Sequence, residues 1–198
     1  MIKITKNLFL LPGKRTGGDS HVFVLNDGDG YILIDTGLTD KVRKIDPRKV
    51  KYVFLTHAHF DHIAQTWRFT NVYCSEKAFR YILERDEEIV CIKPEIKLPW
   101  FVPTGIVEDR QRIKTNRFSF RFIYAPSHTD DSMLIFEEVN GYLFTGDVLF
   151  AGGLVGRTDF KNSVREELDR VIRRILAIPW KLLCPGHGYL EKREIIKI

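Results

Sequence analysis

The chain has 198 residues, 44% of them apolar and 29% charged, with a formal net charge of +5. That composition is ordinary for a globular protein with one sizeable core; it excludes a disordered or low-complexity chain and is short for two domains. No apolar run approaches the ~20 residues of a membrane span.

The opening segment has only a four-residue apolar run, Leu8 to Leu11, too short for the core of a signal peptide. IKIT and LFLL read as strands, followed by the Gly-rich turn GKRTGGD. HVFVLN and YILIDT flank Asp27-Gly28-Asp29-Gly30, a hairpin signal because Asp-Gly suits positive φ angles. VKYVFLT is a near-continuous apolar strand ending at His57, and SEKAFRYILERDEEI (75–89) has helical spacing at Ala78, Ile82 and Arg85. RFSFRFIYA, SMLIFEEV and GYLFTGDVLF are three further strands. SVREELDRVIRRILAI (163–178) opens on a capping box of Ser163 and Glu166 and carries Val164, Leu168, Val171, Ile172 and Ile175 on one face. KLLC is a last strand before Pro185-Gly186-His187-Gly188. With no linker or internal repeat, the pattern predicts one α/β (α+β) domain over 1–198, with helices outside paired sheets.

Cys74, Cys91 and Cys184 are odd in number and have no CxxC spacing. They are read as small buried hydrophobes in a reduced, cytoplasmic protein. The densest basic run, DRQRIKTNRFSFR (109–121), carries five basic residues and two aromatics. Its plain reading is a solvated loop and strand face, and neither a nucleic-acid nor a membrane partner is assigned.

Three of the six histidines lie in Thr56-His57-Ala58-His59-Phe60-Asp61-His62. On an extended segment a spacing of two puts His57 and His59 on one side, whereas a helix would splay them. Asp61 alone would read as a helix N-cap; inside H-x-H-x-D-H it reads as a ligand. His128, Asp147 and His187 each follow a predicted strand end, where loops at one edge of a sandwich converge, and zinc ligation by His and Asp fits all of them. His21, on an alternating strand, is read as structural.

Together with Leu33-Ile34-Asp35-Thr36-Gly37, these residues resemble the metallo-β-lactamase superfamily in order and spacing over nearly the whole chain. The resemblance implies a four-layer αββα sandwich with two divalent ions, zinc ranked first and iron or manganese as alternatives. One ion would take His57, His59 and His128, the second Asp61, His62 and His187, and Asp147 would bridge them. Asp35 would help to fix the ligand loops. The stretch from Leu149 to Phe160, with Gly156-Arg157-Thr158-Asp159, is similar to glyoxalase II-like hydrolases and to persulfide dioxygenases. Against that pattern, Ser127 and Asp131 stand at positions usually small or glycine, and the sequence runs only eleven residues past His187, which implies a form without the C-terminal helical domain.

Two ions sharing a water lower its pKa toward ~7, giving a hydroxide nucleophile that Asp61 is placed to orient. A thiolate, with thiol pKa ~8.5, leaves without a general acid, which ranks thioester above β-lactam hydrolysis. The alternatives are an oxidoreductase holding one iron on His57, His128 and Asp147, a lactonase, and a phosphodiesterase or nuclease. Arg157, ten residues past Asp147, is read as a contact for an anionic small-molecule substrate, with an ion pair to Asp159 as its other reading.

Overall fold

The computed structural model describes residues 1–14, 18–38, 40–90 and 99–193. Within them, one sheet takes seven strands side by side in chain order: β1 (Ile2–Lys3), β2 (Leu8–Leu11), β3 (Val22–Asn26), β4 (Tyr31–Ile34), β5 (Val50–Phe54), β6 (Val72–Cys74) and β7 (Gly105–Ile106). The second holds β8 (Arg112–Lys114), β9 (Ser119–Tyr124), β10 (Met133–Glu137), β11 (Tyr142–Gly146), β12 (Leu182–Pro185) and β13 (Glu191–Lys192), in the order β13-β12-β11-β10-β9-β8. The meanders pair antiparallel. Parallel pairing of β5 with β6, of β6 with β7 and of β11 with β12 requires crossovers, and these carry α1 (Phe60–Ile63), α2 (Glu76–Glu84) and α3 (Leu168–Ala177) respectively.

Three apolar layers account for the four-layer αββα order. Between the sheets lie Leu25, Ile32, Ile34, Phe54, Phe120, Phe122, Ile135 and Phe144. Phe54 meets Phe120 and Phe122 at ring-centroid distances of 5.3 and 5.0 Å, and burying each such side chain is worth about 1.5–3 kcal/mol. Ile63, Ala78 and Ile82 cover the outer face of the first sheet with Val53, Leu55 and Val72. Val171 and Ile175 cover that of the second with Leu134, Leu143 and Leu183. Leu168 and Ile172 are only half-buried.

The Asp27–Gly30 segment turns β3 into β4 as expected, with Gly28 at φ +101°. Other expectations are corrected. The helix read over 75–89 stops at Glu84 because Arg85 adopts the left-handed conformation as its C-cap, and the chain turns back so that Phe60 N donates to Val90 O. The capping box does not form. Ser163 Oγ donates instead to His128 O (2.6 Å), a 3-10 turn at Arg165–Glu167 precedes α3, and Glu167 caps α3 without a side-chain bond. β6, β7, β8 and β13 were not separately legible, each being two or three residues long. Cys74 and Cys184 are buried free thiols, and Cys91 lies outside the described residues. No helix among the described residues is long and apolar enough to cross a membrane.

Candidate metal centre

The β3–β4 hairpin points away from one end of the sandwich, so the segments leaving β4, β5, β9, β11 and β12 all open at that end. The chain after β5 stays extended to His59, which N-caps α1, and α1 then turns Asp61 and His62 inward. His57 and His59 come together with ring centroids 4.7 Å apart, as the spacing of two implies, and both are buried. Asp61 lies inside α1, not at its cap.

All seven candidates converge. His57, His59 and His128 form one group, Asp61, His62 and His187 a second, and Asp147 a third with His57 and His62; within each, one ligand atom per residue lies within 4.8 Å of the others. Asp147 stands between the first two groups, with Oδ1 3.3 Å from His62 Nε2 and Oδ2 3.4 Å from His187 Nε2 and 3.9 Å from His128 Nε2. Asp61 Oδ2 is 3.2 Å from His187 Nε2.

The far nitrogens explain which atoms face inward. Thr56 Oγ1 donates to Asp35 Oδ2 (2.8 Å), so it accepts from His57 Nδ1 (3.1 Å) and leaves His57 Nε2 with its lone pair turned to the centre. His62 Nδ1 donates to Asp35 Oδ2 (2.7 Å), and His128 Nδ1 donates to the carbonyl of Arg157 (2.7 Å). Carboxylate- or carbonyl-anchored imidazoles of this kind are fixed in tautomer and orientation for a cation. Asp35, at φ +56°, also accepts Thr56 N (2.7 Å), so one carboxylate holds both the His57 and the His62 side of the motif.

The donor set fits divalent metal on structural grounds. His57 Nε2, His62 Nε2 and Asp147 Oδ1 are buried without a hydrogen-bond partner, a state natural proteins avoid unless another ligand fills the role. His59 Nδ1 lies 3.1 Å from His128 Nε2, close to the ~3.3 Å separating two nitrogens on one tetrahedral zinc. The ligand types are imidazole and carboxylate, which suit zinc and iron alike. Burial holds His57 and His128 below the usual histidine range and brings His59 to about 3, so these imidazoles are neutral, as ligation requires. Burial acts the same way on His62 and His187, but the carboxylates outweigh it: Asp61, Asp147 and Asp35 hold His62 well up, and Asp147 and Asp61 bring His187 to about 9.

Close packing needs glycine at two places. A Cβ on Gly186 would lie 2.4 Å from Asp147 Oδ1, and one on Gly156 would lie 1.9 Å from the Asp147 carbonyl oxygen. Beside the cluster opens a cleft of about 470 Å³, walled by Phe60, Phe150, Val155 and Phe160 and bordered by Arg157. Arg157 does pair with Asp159, through two bonds of 2.9 and 2.8 Å, while its guanidinium stacks over Phe160 at 4.8 Å.

Two contributors escaped the sequence reading, and a third, His21, keeps the structural role expected of it. Asp131 is fully buried and its Oδ2 accepts Ala58 N (2.7 Å), which fixes the backbone between His57 and His59; burial pushes its carboxyl up to about 6. Its only sequence signal was its place where glycine is common. Ser20 Oγ donates to Asp61 O (2.8 Å). His21, expected to be structural, accepts from Gly13 N and bonds Gly188 O through Nε2, both at 2.9 Å, while its own N donates to Gly186 O; it therefore braces the His187 loop.

The model of the metallo-beta-lactamase superfamily matches residues 15–187. A hydroxyacylglutathione hydrolase, GloC, of Haemophilus influenzae is 28% identical over 83% of this chain and 83% of its own length. A hydroxyacylglutathione hydrolase of Buchnera aphidicola is 30% identical over 86% of this chain but only 63% of its own length, so the chain spans less than two thirds of that relative. Among solved structures, a di-iron-bound form of TTHA1623 superposes with a TM-score of 0.68 at 22% identity, covering 93% of this chain and 94% of the other.

Proposed function

The chain belongs to the metallo-β-lactamase superfamily, and from that premise we propose that it is a two-metal hydrolase of thioesters or related small esters, similar in chemistry to glyoxalase II. The observation that carries the reading is the pair of three-residue groups with Asp147 between them, its Oδ1 buried and unpartnered. His57, His59 and His128 would hold one ion and Asp61, His62 and His187 the other, with Asp147 bridging; zinc is the first choice. When bound, the ions supply Lewis acidity, which brings a water's pKa toward ~7 and polarises an acyl carbonyl.

The chain's own residues do the rest. Asp61, with one carboxylate oxygen near His187, has a second oxygen to accept a proton-side hydrogen bond from the attacking water and aim it. Asp35, Thr56 and the Arg157 carbonyl hold the imidazoles so that no reorganisation is needed on binding. Phe60, Phe150, Val155 and Phe160 keep bulk water from the cleft wall where the acyl group would lie. No general acid is required if the leaving group is a thiolate. Arg157 would meet an anionic portion of the substrate at the rim, with Asp159 setting its orientation. The relatives named as hydroxyacylglutathione hydrolases support the thioester class. Buried free Cys74 and Cys184 support a reducing, cytoplasmic setting.

The test is elemental analysis of protein purified without oxygen, combined with a panel of small thioesters, esters and lactones. About two ions per chain and preferential thioester turnover are expected. A single iron with oxygen consumption on a persulfide would replace this reading with the dioxygenase one.

A further inference from the structure

The basic run at 109–121 lies on a largely solvated face, as expected, but three of its five basic residues gather at one place on it. Arg110, Arg112 and Arg121 gather with Arg174 of α3 around a concavity of about 350 Å³ whose floor is Ile123, Ala177 and Ile178. None of these residues borders the metal cleft. Ile123 and Ile178 are buried, so the floor is firm.

Among the described residues, two carboxylates serve the four guanidinium groups. Asp109 lies 3.7 Å from Arg110 and 3.5 Å from Arg174. Glu138 lies 3.1 Å from Arg112 and 3.5 Å from Arg121. Four positive charges against two negative leave a surplus of two on one concave surface, where like charges repel unless an anion joins them. The donors outnumber the acceptors as well: Arg121 Nε–H is buried without a hydrogen-bond partner, 3.5 Å from Glu138.

Three of the arginines are also held in place. Arg174 donates to the Tyr124 carbonyl (2.7 Å), Arg121 lies over the Phe136 ring (5.4 Å), and Arg112 forks onto Glu138. Arg110 alone is not held in this way: its backbone is fixed at φ +67° with its N–H on Phe122 O, but its side chain is exposed at the mouth. Pre-organised guanidinium forks match the oxygens of a phosphate group, and a dianion balances the surplus.

We propose that this arginine-lined concavity, separate from the metal cleft, binds a phosphate dianion, either free or as the terminal phosphate of a small organic molecule whose apolar part rests on Ile123, Ala177 and Ile178. The site would give the enzyme a second ligand whose charge the catalytic reaction does not consume.

The experiment follows arginine Nε–H signals by nitrogen-15 NMR while metal-loaded protein is titrated at constant ionic strength with inorganic phosphate, with phenyl phosphate, and with chloride. Saturable shifts of Arg112, Arg121 and Arg174 with either phosphate, and none with chloride, are expected. Tighter binding of phenyl phosphate assigns the organic source, and equal or tighter binding of inorganic phosphate the free ion. Arg121→Gln should weaken binding about tenfold, as loss of a charge-assisted contact does, while His57→Ala leaves these shifts intact. No saturable shift with either phosphate, shifts that follow chloride equally, or shifts that vanish in His57→Ala overturn the proposal.

Discussion

Asp27 and Asp147 sit at opposite ends of the same sandwich, both largely removed from water, and they differ in what surrounds their oxygens. Asp27 lies in the β3–β4 turn and accepts from Lys51 Nζ (2.6 Å), Thr115 Oγ1 (2.7 Å), Arg117 N (2.8 Å) and Asn116 N (3.3 Å). It pins the turn of the first sheet to the turn before β9 in the second. Asp147 faces three imidazole nitrogens, and its Oδ1 has no hydrogen-bond donor at all. The first carboxylate is complete within the protein, so its work is structural. The second has a buried oxygen without a partner, a position that a cation would complete. A buried charge is informative through its partners, not its burial.

Substitutions should separate the two ends. The largest effect is expected for Asp147→Ala, which should lower kcat/KM on a thioester by about a thousandfold or more, since a ligand between two ions serves both. Elemental analysis should show loss from both positions, and the metal-free protein should melt no lower than metal-free wild type. His187→Ala should empty only the second position, and a variant that keeps two ions and full turnover removes His187 from the set.

Asp27→Ala should do the reverse. It takes from Lys51 the nearer of its two carboxylates, leaving Asp29, and strands the Arg117 and Asn116 N–H groups, so a loss of about 3 kcal/mol in urea unfolding is expected, with kcat/KM unchanged. The pH dependence has a definite sign. Burial works against the Asp27 carboxylate, but Lys51, Thr115 and the Arg117 and Asn116 amides outweigh it and lower its pKa from 3.8. Its stabilisation is therefore fully present above about pH 4, the unfolded value, and is lost as pH falls through the lower folded value. The stability gap between wild type and Asp27→Asn should narrow below pH 4; a gap constant from pH 7 to 2 contradicts the pairing.

Asp131→Ala lies between the two extremes, since it frees Ala58 N beside the ligands. A ten- to hundredfold weakening of metal affinity is expected, as for other partners that orient ligands, measured by competition with a chelator. The smallest effect is expected for Arg157→Ala. If its guanidinium meets substrate, KM for anionic thioesters should rise several-fold while neutral ones change little. If the Asp159 pair only shapes the loop, both classes should fall together with a lower Tm.

The convergence of the candidate residues was legible because H-x-H-x-D-H concentrates three histidines in six residues and the remaining candidates follow strand ends, both local facts. The layer order was legible for a similar reason: strands such as SFRFIY and helices such as LDRVIRRILA declare their periods within one segment. Most strands of two or three residues were not, because too few side chains exist to show a period; β6 is a strand only because β5 supplies its hydrogen bonds, and β7 only because β6 does the same for it.

The remaining differences arise where one residue had two local uses and a distant partner chose between them. Ser163 fits a capping box, but His128 O, thirty-five residues away, takes its hydroxyl. Asp131 looks like a loop residue until the sandwich brings Ala58 N within 2.7 Å across 73 residues. Arg110, Arg112 and Arg121 become a concavity only when α3 delivers Arg174. Sequence by itself determined which chemistry this chain can hold, since ligand identity and periodicity are properties of neighbouring residues. Tertiary structure alone decided which donors are satisfied, because a hydrogen bond counts only at close range and the fold sets which distant groups come that near.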